Sequence, residues 1–427
     1  MIWLLGGYMW LYVHRPFEVW PALGDMQIER IYMIAMLIVW LVSPKCWNAN
    51  PIHYFTALFS ATLFVSWLAS PYMDKKICAG TVEDFFKVIV FYLLVLTSVR
   101  DERSLWWMIV MFVGSVGLYM AHSFLEFLNG RYEYRMGIVR MNGIDSSFGD
   151  PNAFASTLLY TVPLALTLWM AKPPKLLKTL LVLHLAGVCM CISLTGSRTG
   201  FIGLCLCGSL TLLVSVRRKL LVVVLGGIGG AAAFAVATVA LPESLQNRYL
   251  TIVDSSYGPK NANQSANSRL DGLLDGIRAW QNSLLIGNGP RSFDYATGRM
   301  MGSHNLYGQT LCEMGLLGAL YLIGYTVCFA LSCRTIRAYY RTHPDEPRDF
   351  LFYLSRNLGI LLVLLLVLGW SGHTLYRYNW RWFAAFLAVA VCCVRRRERE
   401  DRAGGAKRML PYFVRRTGTT QQLVLDQ

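Results

Sequence analysis

Eight long apolar runs limit what this sequence can fold into. Each approaches or reaches the roughly 20 residues that cross about 30 Å of hydrocarbon. Because lipid offers no partner for open backbone groups, segments of this kind must be helices. With 55% hydrophobic and 15% charged residues, the chain is predicted to be an all-α, polytopic membrane protein. The runs are residues 31–42, 55–69, 85–99, 106–120, 154–171, 176–194, 201–216 and 220–241.

The formal net charge of +15 is distributed as in membrane proteins. Cytoplasmic loops of such proteins retain Lys and Arg, and much of the basic excess here lies in short loops and in a tail that begins at Arg395. This distribution argues against a nucleic-acid partner. The segments predicted to be cytoplasmic are 100–103, 172–178, 217–219, 334–348 and 395–402.

Helices placed between these basic anchors give about twelve spans, with both ends of the chain in the cytoplasm. Residues 1–13 lack a leading positive charge and a small-residue cleavage site, which is typical of a retained helix or a membrane-lying segment rather than a signal peptide. The segments predicted to face outward are 14–30, 71–81, 126–151, 195–199, 242–303 and 371–381. The predicted parts of the chain are N-terminal helices over 1–241, an external loop over 242–303, C-terminal helices over 304–394 and a disordered basic tail over 395–427.

The external loop contains two kinds of sequence. Residues 254–267 are rich in Ser, Asn, Gly and Pro, which predicts a mobile segment. In residues 269–285, apolar residues recur at intervals of three and four, which predicts a short amphipathic helix. The cluster Gly-Asn-Gly-Pro at 287–290 would end that helix.

The position of the polar residues favours an enzyme over a transporter. Transporters place ionisable groups near the bilayer midplane, whereas the middles of the apolar runs are almost free of charge here. His122 and His184 are exceptions, yet a lone histidine in an apolar helix is more often a packed core residue. Arginines and histidines gather instead at the predicted outer ends, against the positive-inside trend. A bound anion would compensate these charges.

Arg198 and Arg269 are candidate phosphate-binding residues. Arg198 lies in the segment Thr-Gly-Ser-Arg-Thr-Gly at 195–200, a turn whose small residues allow close backbone approach. Its guanidinium offers a fork of donors suited to phosphate. Arg269 opens the predicted amphipathic helix. The alternatives are an interfacial, snorkelling arginine for Arg198 and a solvated helix face for Arg269.

His304 is the candidate general base. It lies in Gly-Ser-His-Asn-Leu-Tyr at 302–307, which runs into a helix at the external surface. An imidazole with the ordinary pKa of about 6.5 is mostly neutral near pH 7 and can accept a proton from a sugar hydroxyl. A helix N-terminus would favour this neutral form. A capping or packing role is the alternative.

The sequence offers no recognisable metal ligand set. Asp-x-Asp, the usual metal-diphosphate signature of nucleotide-sugar enzymes, is absent, and the eleven cysteines are scattered without metal-site spacing. Arginines rather than a metal would therefore stabilise a leaving diphosphate.

Four motifs resemble those of the O-antigen ligase/polymerase superfamily of bacterial envelopes. Their order and the large outer loop also match that family. The resemblance covers roughly residues 145–320, and the first third of the chain is similar only in hydropathy and in Arg-Pro-Phe-Glu at 15–18. The motifs are Phe-Gly-Asp-Pro-Asn at 148–152, the 195–200 segment, the loop pattern of Arg269, Trp280 and 287–290, and His-Asn-Leu-Tyr at 304–307 followed by Glu-Met-Gly-Leu-Leu-Gly at 313–318.

The resemblance implies an inverting, metal-independent, GT-C-like glycosyltransferase of the inner membrane with its site on the periplasmic side and no cofactor. Its donor would be a glycan linked to undecaprenyl diphosphate. Carried over to this sequence, Arg198 and Arg269 would bind the diphosphate and His304 would be the general base. The residues expected to support them are Asn152, Asn305, Arg291 and His373, of which His373 is the second choice of base.

The acceptor is left open by the sequence. A ligase transfers glycan to lipid A–core, a polymerase to another lipid-linked repeat unit, and an O-oligosaccharyltransferase to protein; the ligase is favoured because the outer loop is compact. The exosortase-associated O-glycosylation ligase type would look similar. A non-enzymatic flippase or exporter of polyprenyl-linked glycan and a structural membrane protein are the alternatives of a different class.

Overall fold

The computed structural model describes residues 1–47, 49–135, 137–145, 149–216, 219–239, 241–254, 261–299 and 302–402. Over these residues the chain is a helical bundle with one two-stranded hairpin, which confirms the predicted all-α class. The strands β1 (Glu133–Arg135) and β2 (Ile138–Arg140) pair antiparallel. The helices are α1 (Ile2–His14), α2 (Pro16–Val19), α3 (Pro21–Asp25), α4 (Ile28–Val42), α5 (Ile52–Leu68), α6 (Lys76–Ser98), α7 (Glu102–Leu128), α8 (Pro151–Met170), α9 (Lys175–Leu194), α10 (Arg198–Ser215), α11 (Lys219–Val239), α12 (Glu243–Leu250), α13 (Asn261–Trp280), α14 (Phe293–Thr297), α15 (Leu306–Thr342), α16 (Phe350–Gly369) and α17 (Tyr378–Arg402).

Six helices of the described chain are long and apolar enough to cross a membrane, namely α7, α8, α9, α10, α15 and α16. The apolar α5 is shorter, at 17 residues. The chain is therefore a multi-pass membrane protein, and the predicted number of about twelve spans is not confirmed.

Helix α17 lies at the centre of the bundle. Every side chain from Tyr378 to Val391 is buried, and the helix packs against α6, α7, α15 and α16. Four alanines between 384 and 390 let these neighbours approach closely. As a result, the loop 370–377, which leads into α17, is held against the middle of one end of the bundle.

Several of the segments predicted to face outward meet at that end, which we call the site end. Ser70 donates to the carbonyl of Asn288 at 2.5 Å, and Met141 N–H donates to the carbonyl of Leu194 at 3.1 Å. The site end comprises residues 129–135, 137–145, 149–150, 195–197, 243–254, 281–299, 302–305 and 370–377, together with α13.

An ion cluster ties helices together at the opposite end. Arg397 of α17 donates to Asp349 at 2.6 Å and also bonds Glu102 at the start of α7. Helix α17 consequently continues through residues 395–402, which the sequence assigns to the tail. The rest of the predicted tail, 403–427, lies outside the described residues.

A break in α15 receives a loop from the site end. Gly315 has φ 60° and ψ −153° inside this helix, which frees backbone groups on both sides of it. The N–H groups of Asn288 and Gly289 donate to the carbonyls of Cys312 and Glu313 at 2.8 and 3.1 Å. The freed N–H groups of residues 316 and 317 in turn donate to the carbonyls of residues 284 and 285. Because an irregular backbone inside a membrane protein needs such partners, the Gly-Asn-Gly-Pro loop and the α15 break form one unit.

We expect Gly315→Ala to destabilise this unit. A Cβ at residue 315 would lie 2.6 Å from backbone atoms of Leu285 and Gly287, in a conformation that side chains rarely adopt. Strain of this kind costs on the order of 1–3 kcal/mol, so the melting temperature in detergent should fall. Gly359→Ala in α16 is the matched control, since nothing lies within 4 Å of its Cβ position. An unchanged melting temperature for Gly315→Ala would contradict the packing described here.

Helix α13 differs in its bounds from the predicted amphipathic helix. It begins at Asn261, inside the segment predicted to be mobile, and ends at Trp280 rather than near Gly287. The indole N–H of Trp280 donates to the carbonyl of Leu284 at 2.8 Å, which fixes a turn directly after the helix. Residues 255–260, the rest of the predicted mobile segment, lie outside the described residues.

The buried face of α13 also differs from the one that apolar periodicity indicates. Leu270 and Leu274 are exposed, whereas Gly272, Gly276 and Ala279 are buried. The periodicity of a sequence reflects its large apolar side chains. A helix whose backbone lies close to another backbone instead buries its smallest residues at the contact. The hairpin was not predicted either.

Candidate active site

The Thr-Gly-Ser-Arg-Thr turn places Arg198 at the first position of α10. Gly196 supplies the left-handed residue (φ 58°), and Ser197 caps the helix by accepting from Gly200 N–H at 3.2 Å. Arg248 of α12 donates to the carbonyl of Gly196 at 2.6 Å. Arg248 thus holds the turn from the side of α12.

The buried Arg140 and the half-buried Asn152 hold the same turn from the bundle side. Arg140 donates from Nε to the carbonyl of Thr195 at 2.8 Å. Asn152, one of the predicted supporting residues, accepts through its side-chain oxygen from Ser197 Oγ at 2.8 Å and from Arg140 at 3.3 Å. The contacts of Asn152 therefore position the turn that carries Arg198.

The two predicted phosphate-binding arginines lie close together. Arg269 Nη2 donates to Thr199 Oγ1 at 3.0 Å, and Arg198 Nη1 donates to Thr251 Oγ1 at 3.2 Å. Burial lowers the pKa of Arg269, and the positive charge of Arg198 lowers it further. Two guanidinium groups at one helix N-terminus repel each other, and a bound anion would relieve this repulsion.

Helix α13 holds Arg269 next to the start of α15 through backbone contact. A Cβ at Gly272 would lie 1.9 Å from the carbonyl oxygen of Ser303, and one at Gly276 would lie 2.4 Å from that of Gly308. Only glycine allows this approach. The side-chain amide of Asn305 then donates to the carbonyl of Arg269 at 3.3 Å.

Asn305 also organises the residue that precedes it. Its side chain caps α15 by accepting from Tyr307 and Gly308 N–H, both at 3.0 Å, and its amide reaches the carbonyl of Trp370 at 3.4 Å. Asn305 is fully buried, whereas His304 is exposed. His304 is thereby presented between α13 on one flank and the loop 370–377 on the other.

The backbone of His304 is in the left-handed region, with φ 45°. Non-glycine residues in this region are uncommon and cluster at functional sites. Arg291, another predicted supporting residue, shares this property with φ 56°. Histidine is among the residue types that are enriched in this region and arginine is not, and neither conformation was predicted.

His373 lies beside His304 on the second flank. The two ring centroids are 5.3 Å apart. The Nδ1 atom of His373 is buried and has no hydrogen-bond partner among the described residues. Burial and the positive charges of Arg291, His304 and Arg377 hold the pKa of His373 well below 6.5, so its imidazole is neutral at pH 7.

Two acidic residues complete this flank, and no role was predicted for either. Arg291 interacts electrostatically with both Asp294 and the fully buried Glu313. Burial raises the pKa of Asp294, while Arg291 and His304 oppose that rise. Asp294 is therefore close to His304. It follows Arg291 in a short segment without periodicity, so nothing in the sequence marked it.

The structure therefore brings together all the residues singled out for the site. Arg198, Arg269 and Asn152 lie around the start of α10, and His304, Asn305, Arg291 and His373 lie around the start of α15. The carbonyl of Arg269, bonded to Asn305, connects the two groups. Among the described residues, no group of three or more His, Cys, Asp or Glu side chains is placed to hold a metal ion.

His184, considered above as an ionisable group inside a span, has a partner within the bundle. Its Nε2 is 2.7 Å from Thr161 Oγ1, and both residues are buried. His122 stacks on His14 and Trp20 near the end of α7, with His122 Nδ1 3.1 Å from His14 Nε2.

Residues 180–323 match the sequence model of the family described as O-antigen ligase, whereas a search of curated proteins finds no match. The matched segment is about a third of the chain and contains Arg198, Arg269 and His304, while Asn152 and His373 lie outside it. Over this segment the match supports the resemblance to the O-antigen ligase/polymerase superfamily.

Proposed function

We propose that the protein transfers a glycan from undecaprenyl diphosphate to an acceptor hydroxyl at the outer face of the bacterial inner membrane. One observation carries the proposal. Arg198 and Arg269 lie together at the start of α10, while the backbone of Arg269 is bonded to Asn305, the neighbour of His304. A diphosphate-binding pair and a candidate base thus share one site.

The donor diphosphate is assigned to the two arginines. A guanidinium binds phosphate oxygens through paired donors, and the positive end of the α10 helix dipole adds to the attraction for an anion. Partial burial strengthens these interactions relative to water. The leaving diphosphate is stabilised in this way without a metal ion.

The polyprenyl chain is assigned to an apolar groove between α8 and α10. The groove has a volume of about 390 Å³. It begins at Leu204, six residues after Arg198 and so about 9 Å further along the same helix. A lipid whose diphosphate contacts Arg198 would reach it directly. The groove is lined by Val162, Leu166, Leu204, Cys207, Gly208, Thr211 and Leu212.

The reaction is a single in-line displacement. His304 takes the proton of the acceptor hydroxyl, and that oxygen forms a bond to the anomeric carbon of the donor sugar. The bond from this carbon to the diphosphate oxygen breaks, and undecaprenyl diphosphate leaves with the electron pair. A general base of this kind contributes roughly 10²- to 10⁴-fold to the rate.

The outward orientation of the site end is supported by the distribution of charge. The opposite end carries the basic clusters around residues 100–103, 172–178 and 395–402. Loops with this excess of Lys and Arg remain in the cytoplasm, which leaves the site end on the periplasmic side.

Reconstitution tests the function. Purified protein in proteoliposomes is given an undecaprenyl-diphosphate-linked glycan and, in parallel, lipid A–core, a second lipid-linked repeat unit and a hydroxyl-bearing polypeptide. We expect one acceptor to gain the glycan with release of undecaprenyl diphosphate, and ligation to lipid A–core is favoured. Movement of the donor across the bilayer without any covalent product would instead identify a flippase and overturn the proposal.

A further inference from the structure

The space beside Gly302 adjoins His373 and the acidic side chain of Asp294. An atom placed where a Cβ of Gly302 would lie is 3.8 Å from His373 Nδ1 and 3.9 Å from Asp294 Oδ1. The absence of a side chain at residue 302 therefore leaves a gap that faces both polar atoms. His304 is close to both of these residues, since its ring centroid is 5.3 Å from that of His373 and its charge acts on Asp294.

One of these atoms lacks a partner in the site as it stands. His373 Nδ1 is buried and has no hydrogen-bond partner among the described residues. Leaving a buried polar atom unsatisfied costs about 1–3 kcal/mol. A substrate hydroxyl bound in the gap would remove this cost.

The position of the gap matches the acceptor rather than the donor. Arg198 and Arg269 lie on the α13 flank of His304, whereas His373 belongs to the loop 370–377 on the other flank. In an in-line displacement the attacking hydroxyl approaches opposite the leaving diphosphate. The acceptor must therefore reach His304 from the flank that contains the gap.

We infer that the Gly302 gap binds a second hydroxyl of the acceptor, next to the hydroxyl that reacts. This inference rests on the proposed function. While His304 takes the proton of the reacting hydroxyl, the neighbouring hydroxyl donates to Asp294 or to His373 Nδ1. A saccharide carries such neighbouring hydroxyls, whereas a Ser, Thr or Tyr side chain carries a single one. His373 and Asp294 thus select a polyol acceptor.

The chemistry of both groups fits this assignment. His373 is kept neutral by burial and by its cationic neighbours, so one ring nitrogen retains a lone pair that accepts a hydrogen bond. The Asp294 carboxylate also accepts, and it would repel an anionic group on the acceptor. A neutral hydroxyl can donate a hydrogen bond to either His373 or Asp294 without this repulsion.

Two variants alter the gap with little change elsewhere. Gly302→Ala adds one methyl group at ordinary contact distances and fills the space, while Asp294→Asn removes the charge. Gly80→Ala in α6 is the control, because nothing lies within 4 Å of its Cβ position. Each variant is measured with the acceptor that the wild type uses in reconstitution and with a monodeoxy analogue that lacks the hydroxyl next to the reacting one.

We expect the wild type to prefer the intact acceptor over the deoxy analogue by about 10- to 100-fold in kcat/KM, as for a hydrogen bond to a charged group. In Gly302→Ala and Asp294→Asn this preference should fall to a few-fold or less, and Gly80→Ala should retain it. A merely structural role would lower the rates with both acceptors equally.

Two results would overturn the inference while leaving glycan transfer intact. One is a wild type that prefers a polypeptide hydroxyl. The other is a preference for the intact saccharide that persists in both gap variants. Absence of transfer to every acceptor would instead contradict the proposed function itself.

Discussion

Replacing His304 with asparagine should lower glycan transfer by about 10²- to 10⁴-fold, the contribution of a general base. Asparagine tests the loss of the base more specifically than alanine does, because asparagine tolerates the left-handed backbone that residue 304 adopts. It also retains a polar side chain but cannot take up a proton near pH 7. The measurement is the transfer rate in proteoliposomes at saturating donor.

The control for this variant is His343→Asn at the opposite end of the bundle. His343 follows α15 and interacts with the carbonyl of Tyr339 at 3.0 Å, far along the helix from the site. We expect it to retain the wild-type rate. If His304→Asn transferred glycan at the wild-type rate, His304 would not be the base, and His373 would be the next residue to test.

Replacing Arg269 with alanine should lower kcat/KM for the lipid-linked donor by about 10²- to 10³-fold, as for other groups that stabilise a developing negative charge. Arg198→Ala should have an effect of similar size. The double variant should lose much less than the product of the two, because both guanidinium groups act on one diphosphate. Donor affinity is measured by binding to protein in nanodiscs, and turnover by release of undecaprenyl diphosphate.

Arg278→Ala provides a matched control on the same helix. Its side chain is 74% exposed and pairs with Asp275, so its removal should leave donor affinity unchanged. Unchanged donor affinity and turnover in Arg269→Ala would show that the arginine pair does not bind the diphosphate.

The parts of the site that are local in sequence could be predicted from the residues. Small residues around Arg198 indicated a tight turn between two helices, and the structure places Arg198 at the first position of α10. His304 was expected to precede a helix, and α15 begins two residues later. Helix N-termini depend on a few neighbouring residues, which makes them readable from one sequence.

The packing that joins these parts could not be predicted in the same way. The approach of α13 to α15 depends on Gly272 and Gly276, which contribute nothing to apolar periodicity. The insertion of residues 284–289 into the break at Gly315 likewise pairs backbone groups that carry no side-chain signal. Asp294 lies near His304 only because this packing brings residues 294 and 304 together.

The number of membrane spans illustrates a different limit of prediction from sequence. Basic clusters indicated about twelve, whereas length and composition identify six helices in the described chain. Helices such as α6 carry ionised residues, with Lys87 pairing with Glu29 and Asp84. A helix that carries such ion pairs is less apolar than its neighbours, so its own composition does not identify it as a span.

The most direct test of the central claim is the side of the membrane on which the site lies. Arg278→Cys on α13 and Asp345→Cys between α15 and α16 place reporters at the two ends of the bundle, and each is labelled with a membrane-impermeant maleimide and compared with the parent chain. In intact spheroplasts we expect residue 278 to label and residue 345 to label only after permeabilisation. Labelling of residue 345 alone in intact spheroplasts would place Arg269 and His304 in the cytosol and contradict transfer at the outer face.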